Sequence, residues 1–228
     1  MVKTVLLDLD DTIFDFKACD REALSAALTK CGLPFSAADI TDYNRINDSM
    51  WKLLEKGEIK REELRTRRFE LFLSRYKTPL EASAFADLYM QMLSQTDVLI
   101  DGARELLEYL SQNYRLYAVT NGYVQTQSGR IERADIGKYF NDIFISQIVG
   151  APKPQKAFFD YCAAHIPGFS LDNTVLIGDS PTSDISGGNE YGIFTIRYNP
   201  ARLPNPHDIL PQREVFALSE LPDLLKTL

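Results

Sequence analysis

The stretch VKTVLLDLDDT, residues 2–12, decides the fold of this chain. Its first half is a short apolar run with β-branched residues, the pattern of a strand buried inside a sheet. The run ends at Asp8, and a further carboxylate follows two residues later at Asp10. We therefore interpret the stretch as a buried strand that carries two carboxylates at its carboxyl end.

Beyond this strand the chain changes character twice. Residues 16–94 contain no comparable run and predict four helices, at 16–31, 38–55, 61–76 and 80–93. After Asp101 and Gly102, helical segments alternate with predicted strands at 115–119, 142–146, 174–177, 193–197 and 215–217. Such alternation is typical of a parallel sheet with helices on both faces.

These patterns predict an α/β fold, a doubly wound, Rossmann-like parallel sheet with an inserted helical-bundle cap domain. The catalytic core is expected at 1–15 and 95–228, and the cap at 16–94, directly after the first strand. This division explains the length of 228 residues, which is greater than one typical domain requires.

The composition excludes several classes of protein. A chain of 228 residues can bury a core without disulfides, and Cys19, Cys31 and Cys162 have neither zinc-site nor disulfide-framework spacing. No signal peptide or apolar stretch of about 18 residues occurs, so we expect a cytoplasmic protein without a membrane partner. The net charge of −7 argues against nucleic-acid polymers as partners. His165 and His207 lie far from any Ser or Cys motif, and we interpret both as structural.

Polar side chains follow four of the apolar runs. In parallel sheets, ligands bind at the edge formed by the carboxyl ends of the strands. The segments that follow the four runs are Asp8-Leu9-Asp10-Asp11-Thr12, Thr120-Asn121-Gly122, the loop with Lys153, and Gly178-Asp179-Ser180 with Asp184. Crowded carboxylates repel one another and need a cation, and carboxylate oxygens suit Mg²⁺ bridging to phosphate.

The remaining groups at this edge suit a phosphate. The Lys153 ammonium and the Thr120 hydroxyl can bind phosphate oxygens, and backbone N–H groups at Asn121 and Gly122 can add donors. Residues two apart on an extended strand point the same way. Asp8 can therefore attack phosphorus while Asp10 serves the leaving oxygen, first as general acid and then as general base.

The ordered set D-x-D-x-T, V-T-N, K-P and G-D-S-x-x-S-D resembles the haloacid dehalogenase-like hydrolase superfamily over essentially the whole chain. The resemblance implies that Asp8 forms an aspartyl-phosphate and that Asp10 is the general acid/base. It also implies that Thr120 and Lys153 bind the phosphoryl group. The implied Mg²⁺ ligands are Asp8, the backbone carbonyl of Asp10, Asp179, and Asp184, which binds the metal either directly or through water. Dehalogenases of this superfamily lack the second aspartate of the first motif, so the presence of Asp10 favours a phosphatase.

Four less specific motifs resemble the pyrimidine nucleoside 5'-monophosphatases, a 5'-nucleotidase subgroup of that superfamily. They are DLDDTIFDF at 8–16, DYNRINDSMW at 42–51, RRFE at 67–70 and VTNG at 119–122. In the cap, Asn47 and Arg68 fall within apolar helix stripes beside Trp51, and these three residues are candidates for substrate binding. A core or packing role for each of them is the alternative.

The sequence therefore predicts a Mg²⁺-dependent nucleotidase that acts on small phosphorylated substrates, as a monomer or homodimer. A phosphatase for another small metabolite, such as phosphoglycolate or a sugar phosphate, is the alternative within enzymes. A phosphate-binding regulatory module that has lost catalysis is the alternative outside them.

Overall fold

A computed structural model describes residues 1–206 and 208–228 of the chain. Within these residues one parallel sheet has six strands, in the order β3-β2-β1-β4-β5-β6. The strands are β1 Thr4–Leu7, β2 Arg115–Thr120, β3 Asp142–Ile145, β4 Thr174–Gly178, β5 Phe194–Tyr198 and β6 Arg213–Val215. The predicted α/β class and doubly wound sheet are confirmed.

The opening strand lies in the middle of this sheet. Val5, Leu6 and Leu7 are completely buried, because β1 has a strand on each side and helices cover both faces of a parallel sheet. The Asp8 N–H donates to the Ile177 carbonyl at 2.9 Å. Residue 8 therefore leaves the sheet between the carboxyl ends of two other strands.

The helices fall largely where hydrophobic periodicity predicts them. They are α1 Phe16–Lys30, α2 Ala37–Glu55, α3 Arg61–Leu73, α4 Ala82–Leu93, α5 Ala103–Asn113, α6 Val124–Arg133, α7 Ser146–Val149, α8 Lys156–His165, α9 Ser186–Tyr191 and α10 Leu221–Lys226. A π-helical turn, Pro181–Ile185, precedes α9. Among the described residues, no helix combines the length and apolar character needed to cross a bilayer.

The chain divides into two compact units. The α/β unit contains Met1–Phe16, Val98–Val124 and Ala134–Leu228, and the helical unit contains Lys17–Asp97 and Gln125–Arg133. Most of α6 thus groups with the helical unit, although its place between two strands assigned it to the core by sequence. Close packing explains this grouping, because a Cβ at Gly129 would lie 2.6 Å from the Ser94 carbonyl oxygen. A contact of this kind between distant segments leaves no periodic signal in the sequence.

The helical unit has an aromatic core. The rings of Tyr43 and Tyr89 each lie close to Phe69, with centroid distances of 5.5 and 5.0 Å, and all three side chains are fully buried. Phe72 and Phe85 extend the cluster. Each aromatic pair contributes about 0.5–1.5 kcal/mol beyond simple burial, so these rings hold α2, α3 and α4 together.

The last strand ends earlier than the sequence predicts, at Val215 rather than residue 217. The N–H groups of Phe216 and Ala217 donate to the Glu220 carboxylate at 3.0 and 2.8 Å, so they begin the next helical turn instead of extending the sheet. His165 stacks on Tyr161, which agrees with a structural role. His207 lies outside the described residues.

Candidate functional site

Asp8 occupies the centre of the carboxyl edge of the sheet. It is 6% exposed, and its two oxygens have different partners. Thr12 Oγ1 donates to Asp8 Oδ2 at 3.2 Å, while Lys153 Nζ donates to Asp8 Oδ1 at 2.7 Å. Asp10 is half-buried, and its negative charge contributes to raising the pKa of Asp8. The first motif therefore places two carboxyl groups near each other, one of them fixed by a buried cation.

Lys153 uses all three protons of its ammonium group. Besides Asp8 Oδ1, its Nζ contacts the Val119 carbonyl at 2.8 Å and Asp184 Oδ1 at 2.6 Å, and the residue is 1% exposed. Three acceptors around one ammonium fix Nζ in space, because moving it would break hydrogen bonds to charged groups. The ammonium thus joins the ends of β1 and β2 to the turn after β4.

The loop that carries Lys153 is held by Asn121. The Asn121 amide donates to the Lys153 carbonyl at 2.9 Å and accepts from the Lys153 N–H at 2.8 Å. Beside it, the N–H of Gly122 donates to Thr120 Oγ1 at 3.1 Å, and Thr120 is 1% exposed. The structure therefore brings together Thr120, Asn121, Gly122 and Lys153, the four residues predicted to bind phosphate.

The fourth motif contributes two more carboxylates. The π-helical turn after β4 carries Asp184, which is buried and accepts from the Ser180 N–H at 3.1 Å. A Cβ at Gly178 would lie 2.7 Å from the Asp184 Cβ, so only glycine permits this approach. One oxygen from each of Asp8, Asp179 and Asp184 can be chosen so that all three lie within 4.8 Å of one another.

This cluster contains more carboxyl groups than positively charged groups. Burial raises the pKa of Asp8 to about 8; Lys153 opposes this rise, and the carboxylates of Asp184 and Asp10 reinforce it. Burial and the charges of Asp8 and Asp184 also raise the pKa of Asp179 well above its usual range. Burial disfavours the Lys153 ammonium, but Asp184 and Asp8 raise its pKa above the ordinary value. One ammonium faces several carboxylates, and further positive charge would stabilise them.

These residues fit a divalent cation. Three carboxylates with oxygens within 4.8 Å form the hard, all-oxygen donor set that suits Mg²⁺, which keeps some of its waters. Asp8, Asp179 and Asp184 would hold the ion. Asp10 is the fourth predicted ligand and lies in the same loop as Asp8.

The raised pKa of Asp8 leads to a stability prediction. Between its ordinary value of 3.8 and about 8, the folded metal-free chain keeps a proton on Asp8 that the unfolded chain has lost. The free energy of unfolding contributed by this group therefore falls as pH rises through that window. Asp8→Asn removes the titration, so its stability relative to wild type should increase from pH 5 to pH 8 in EDTA. Urea unfolding at several pH values measures this, and a constant difference would contradict it.

The three cap candidates lie in the helical unit. Arg68 donates from a terminal guanidinium nitrogen to Asn47 Oδ1 at 2.7 Å, and both residues are buried. The Arg68 guanidinium also lies 4.7 Å from the Phe69 ring centroid. Trp51 is half-buried, with the Arg61 guanidinium 6.0 Å from its ring. The structure thus brings Asn47 and Arg68 together in the packed interior of this unit, and a role for the three in substrate binding stays a prediction.

Several residues that support the site have no role predicted from the sequence. Thr12 is the last residue of D-x-D-x-T, and its position four residues after Asp8 allows its hydroxyl to reach back to the carboxylate. Gly178 directly precedes Asp179, where a glycine at a strand end indicates a close approach. The two hydrogen bonds between the Asn121 side-chain amide and the main chain of Lys153 join residues 32 positions apart, and no local pattern in the sequence indicates them.

Comparison with known proteins gives consistent results. The family model for haloacid dehalogenase-like hydrolases matches residues 2–192. Pyrimidine 5'-nucleotidase PynA of Streptococcus pneumoniae is 38% identical over 98% of this chain and 94% of its own length. Pyrimidine 5'-nucleotidase YjjG of Escherichia coli is 29% identical over 97% of this chain and 96% of its own. A crystal structure of the HAD-hydrolase YfnB of Bacillus subtilis, bound to magnesium, superposes with a TM-score of 0.94 at 37% identity and covers 98% of each chain.

Proposed function

This chain belongs to the haloacid dehalogenase-like hydrolase family, and on that premise we propose that it is a Mg²⁺-dependent phosphatase of nucleoside 5'-monophosphates. The preferred substrates are pyrimidine nucleotides, including modified ones. One observation carries the proposal: Lys153 Nζ lies 2.7 Å from Asp8 Oδ1, beside the converging carboxylates of Asp179 and Asp184. This arrangement combines a fixed nucleophile with groups for binding a phosphate and a metal.

The first step transfers the phosphoryl group to Asp8. A carboxylate oxygen of Asp8 attacks phosphorus while the bond from phosphorus to the ester oxygen breaks. Asp10 donates its proton to that departing oxygen, and the nucleoside leaves as a neutral alcohol. In the second step Asp10 takes a proton from water as the water oxygen attacks phosphorus. Asp8 is released as a carboxylate together with inorganic phosphate.

The neighbouring groups hold the phosphate for this attack. The Lys153 ammonium donates to the Asp8 oxygen opposite the one bound by Thr12, so it orients the carboxylate, and its positive charge attracts the phosphate. The Thr120 hydroxyl and the Asn121 N–H supply further donors, and the Gly122 N–H donates to Thr120 Oγ1 and so orients that hydroxyl. Donors fixed in a buried site stabilise the developing charge without reorganising.

A bound Mg²⁺ supplies positive charge that neutralises the phosphate and keeps Asp8 ionised. Asp8, Asp179 and Asp184, with the backbone carbonyl of Asp10 as a fourth ligand, would hold it. The pKa of about 8 for Asp8 in the metal-free chain supports this dependence, because a protonated carboxyl group is a poor nucleophile.

Two similar proteins support the proposed substrate class. Both PynA and YjjG are named as pyrimidine 5'-nucleotidases, and each matches nearly the whole of this chain. We extend the proposal to Asn47, Trp51 and Arg68 of the helical unit as contacts for the nucleoside. Their amide, indole and guanidinium groups suit the edge and the face of a pyrimidine ring.

A panel of phosphate esters tests this function. We expect purified protein with Mg²⁺ to release phosphate from UMP, dUMP and dTMP with a kcat/KM at least about tenfold above that for phosphoglycolate or a sugar phosphate. EDTA should reduce the rate to background, and added Mg²⁺ should restore it. Phosphate release is measured directly, with Asp8→Asn as the blank for contaminating phosphatases.

The panel separates the parts of the proposal. Failure on all three nucleotides, together with turnover of another ester, would remove the nucleotidase assignment and leave a phosphatase for a different metabolite. Full activity in EDTA would remove the metal assignment. No turnover of any phosphate ester would favour a phosphate-binding module instead.

A further inference from the structure

Arg197 is a buried cation beside the proposed metal site that the mechanism does not use. It lies on β5, where it pairs in register with Gly178, the residue before Asp179, and it is only 4% exposed. A buried guanidinium is costly unless its donors are satisfied. Its partners should therefore indicate its role.

The guanidinium donates in two directions. Nε donates to the main-chain carbonyl of Asp179 at 3.3 Å. Nη1 donates to the carbonyl of Leu203 at 3.1 Å and to Asn205 Oδ1 at 2.8 Å. Only a planar fork with separate nitrogen donors can satisfy acceptors on both sides in this way. Arg197 thus connects the main chain of Asp179 to the loop that follows β5.

An anionic partner balances the charge. Glu214 on β6 lies 3.5 Å from Arg197 Nη1 and accepts from the side-chain amides of Asn199 and Asn205 at 3.0 and 3.3 Å. Asn199 in turn binds both the N–H and the carbonyl of Leu203. The network is rigid on the side of Arg197 that faces away from Asp179, so Arg197 provides a fixed support for the Asp179 carbonyl.

Asp179 needs such a support. Its carboxyl group lies close to those of Asp8 and Asp184, and the repulsion that grows as these groups ionise opposes that approach. The hydrogen bond from Arg197 to the main-chain carbonyl of Asp179 resists this repulsion before any cation is present. The effect is preorganisation of a ligand by a residue that does not touch the ion.

We propose that Arg197 is a positioning residue that holds Asp179 for Mg²⁺, a role that rests on the proposed function. Arg197 sets the position of the Asp179 main chain and thereby the affinity of the cluster for the ion. The network with Asn205 and Glu214 serves to hold Arg197 itself.

Two substitutions separate this role from simple stabilisation of the loop. Arg197→Lys keeps the charge and the stem, but its single nitrogen cannot serve the Asp179 carbonyl and the loop together. Asn205→Ala removes a contact on the loop side and leaves the bond to Asp179 in place. Arg213→Lys, at an exposed position on β6, is the control for the same change of residue type.

The measurement is calorimetric titration of each full-length, metal-free protein with Mg²⁺, with thermal unfolding alongside. Arg197→Lys should weaken Mg²⁺ binding by roughly tenfold, as is typical when a partner of a metal ligand is lost. Asn205→Ala should lower the melting temperature but leave Mg²⁺ affinity within about twofold, and Arg213→Lys should change neither. Saturating Mg²⁺ should return the kcat of Arg197→Lys to near the wild-type value, because the residue acts through the metal site.

The outcomes are distinguishable. Wild-type Mg²⁺ affinity in Arg197→Lys, or equal weakening in Asn205→Ala, overturns the role of Arg197 and leaves the proposed function intact. If Arg197→Lys does not fold, Arg197→Gln is measured in its place against the same controls. Absence of Mg²⁺ binding by the wild-type chain overturns the metal-dependent function and this role with it.

Discussion

Replacement of Asp8 by Asn should abolish phosphatase activity, lowering kcat by at least about 10⁴-fold, as loss of a covalent nucleophile does. Asparagine retains the shape of the side chain, and its amide oxygen can still accept the hydrogen bond from Lys153. Its neutral amide cannot form an acyl-phosphate at a useful rate. Phosphate release from the best substrate of the panel measures the effect, and circular dichroism should show an unchanged fold.

The matched control is Asp172→Asn, an exposed aspartate that precedes β4 at the opposite edge of the sheet. It makes the same chemical change without touching the cluster, and its rate should equal that of wild type. Mass spectrometry excludes deamidation of the new asparagine back to aspartate. Turnover of Asp8→Asn within tenfold of wild type would refute the assignment of Asp8 as nucleophile.

Replacement of Lys153 by Met should impair both stability and activity. The change leaves the buried carboxylates of Asp8 and Asp184 without their cation, and breaking a buried ion pair typically costs about 3–5 kcal/mol. The loss should be largest near pH 8 in EDTA and smaller in acid, where protonation relieves the repulsion. Activity should fall strongly at every pH, because no other group replaces the ammonium at the phosphate.

Lys156→Met provides the comparison. Lys156 begins α8, three residues further on, and forms an exposed ion pair with Asp160. Exposed pairs contribute little, so this variant should unfold at nearly the wild-type urea concentration and keep its activity. If Lys153→Met were as stable as Lys156→Met at pH 8 in EDTA, the buried ammonium would not be what holds the carboxylates together.

The sequence alone predicts much of this molecule, because its signals are local. Apolar runs of strand length mark four of the strands that surround the site, and a polar segment follows each of them. Parallel strands place their carboxyl ends at one edge, so Asp8, Thr120 and Asp179 could be assigned to a single site without coordinates. Their chemical roles stay predictions, because proximity alone does not establish catalysis.

The tertiary structure decided the contacts between distant segments. Asn121 donates a hydrogen bond to Lys153, 32 residues away, and Arg197 donates one to Asp179, 18 residues away. No sequence pattern around either side chain indicates its partner. The grouping of most of α6 with the helical unit likewise depends on Gly129 against Ser94. The hydrophobic periodicity of a sequence indicates which face of a helix or strand is buried. These contacts depend instead on how far side chains reach and how closely elements pack, and only the folded chain determines both.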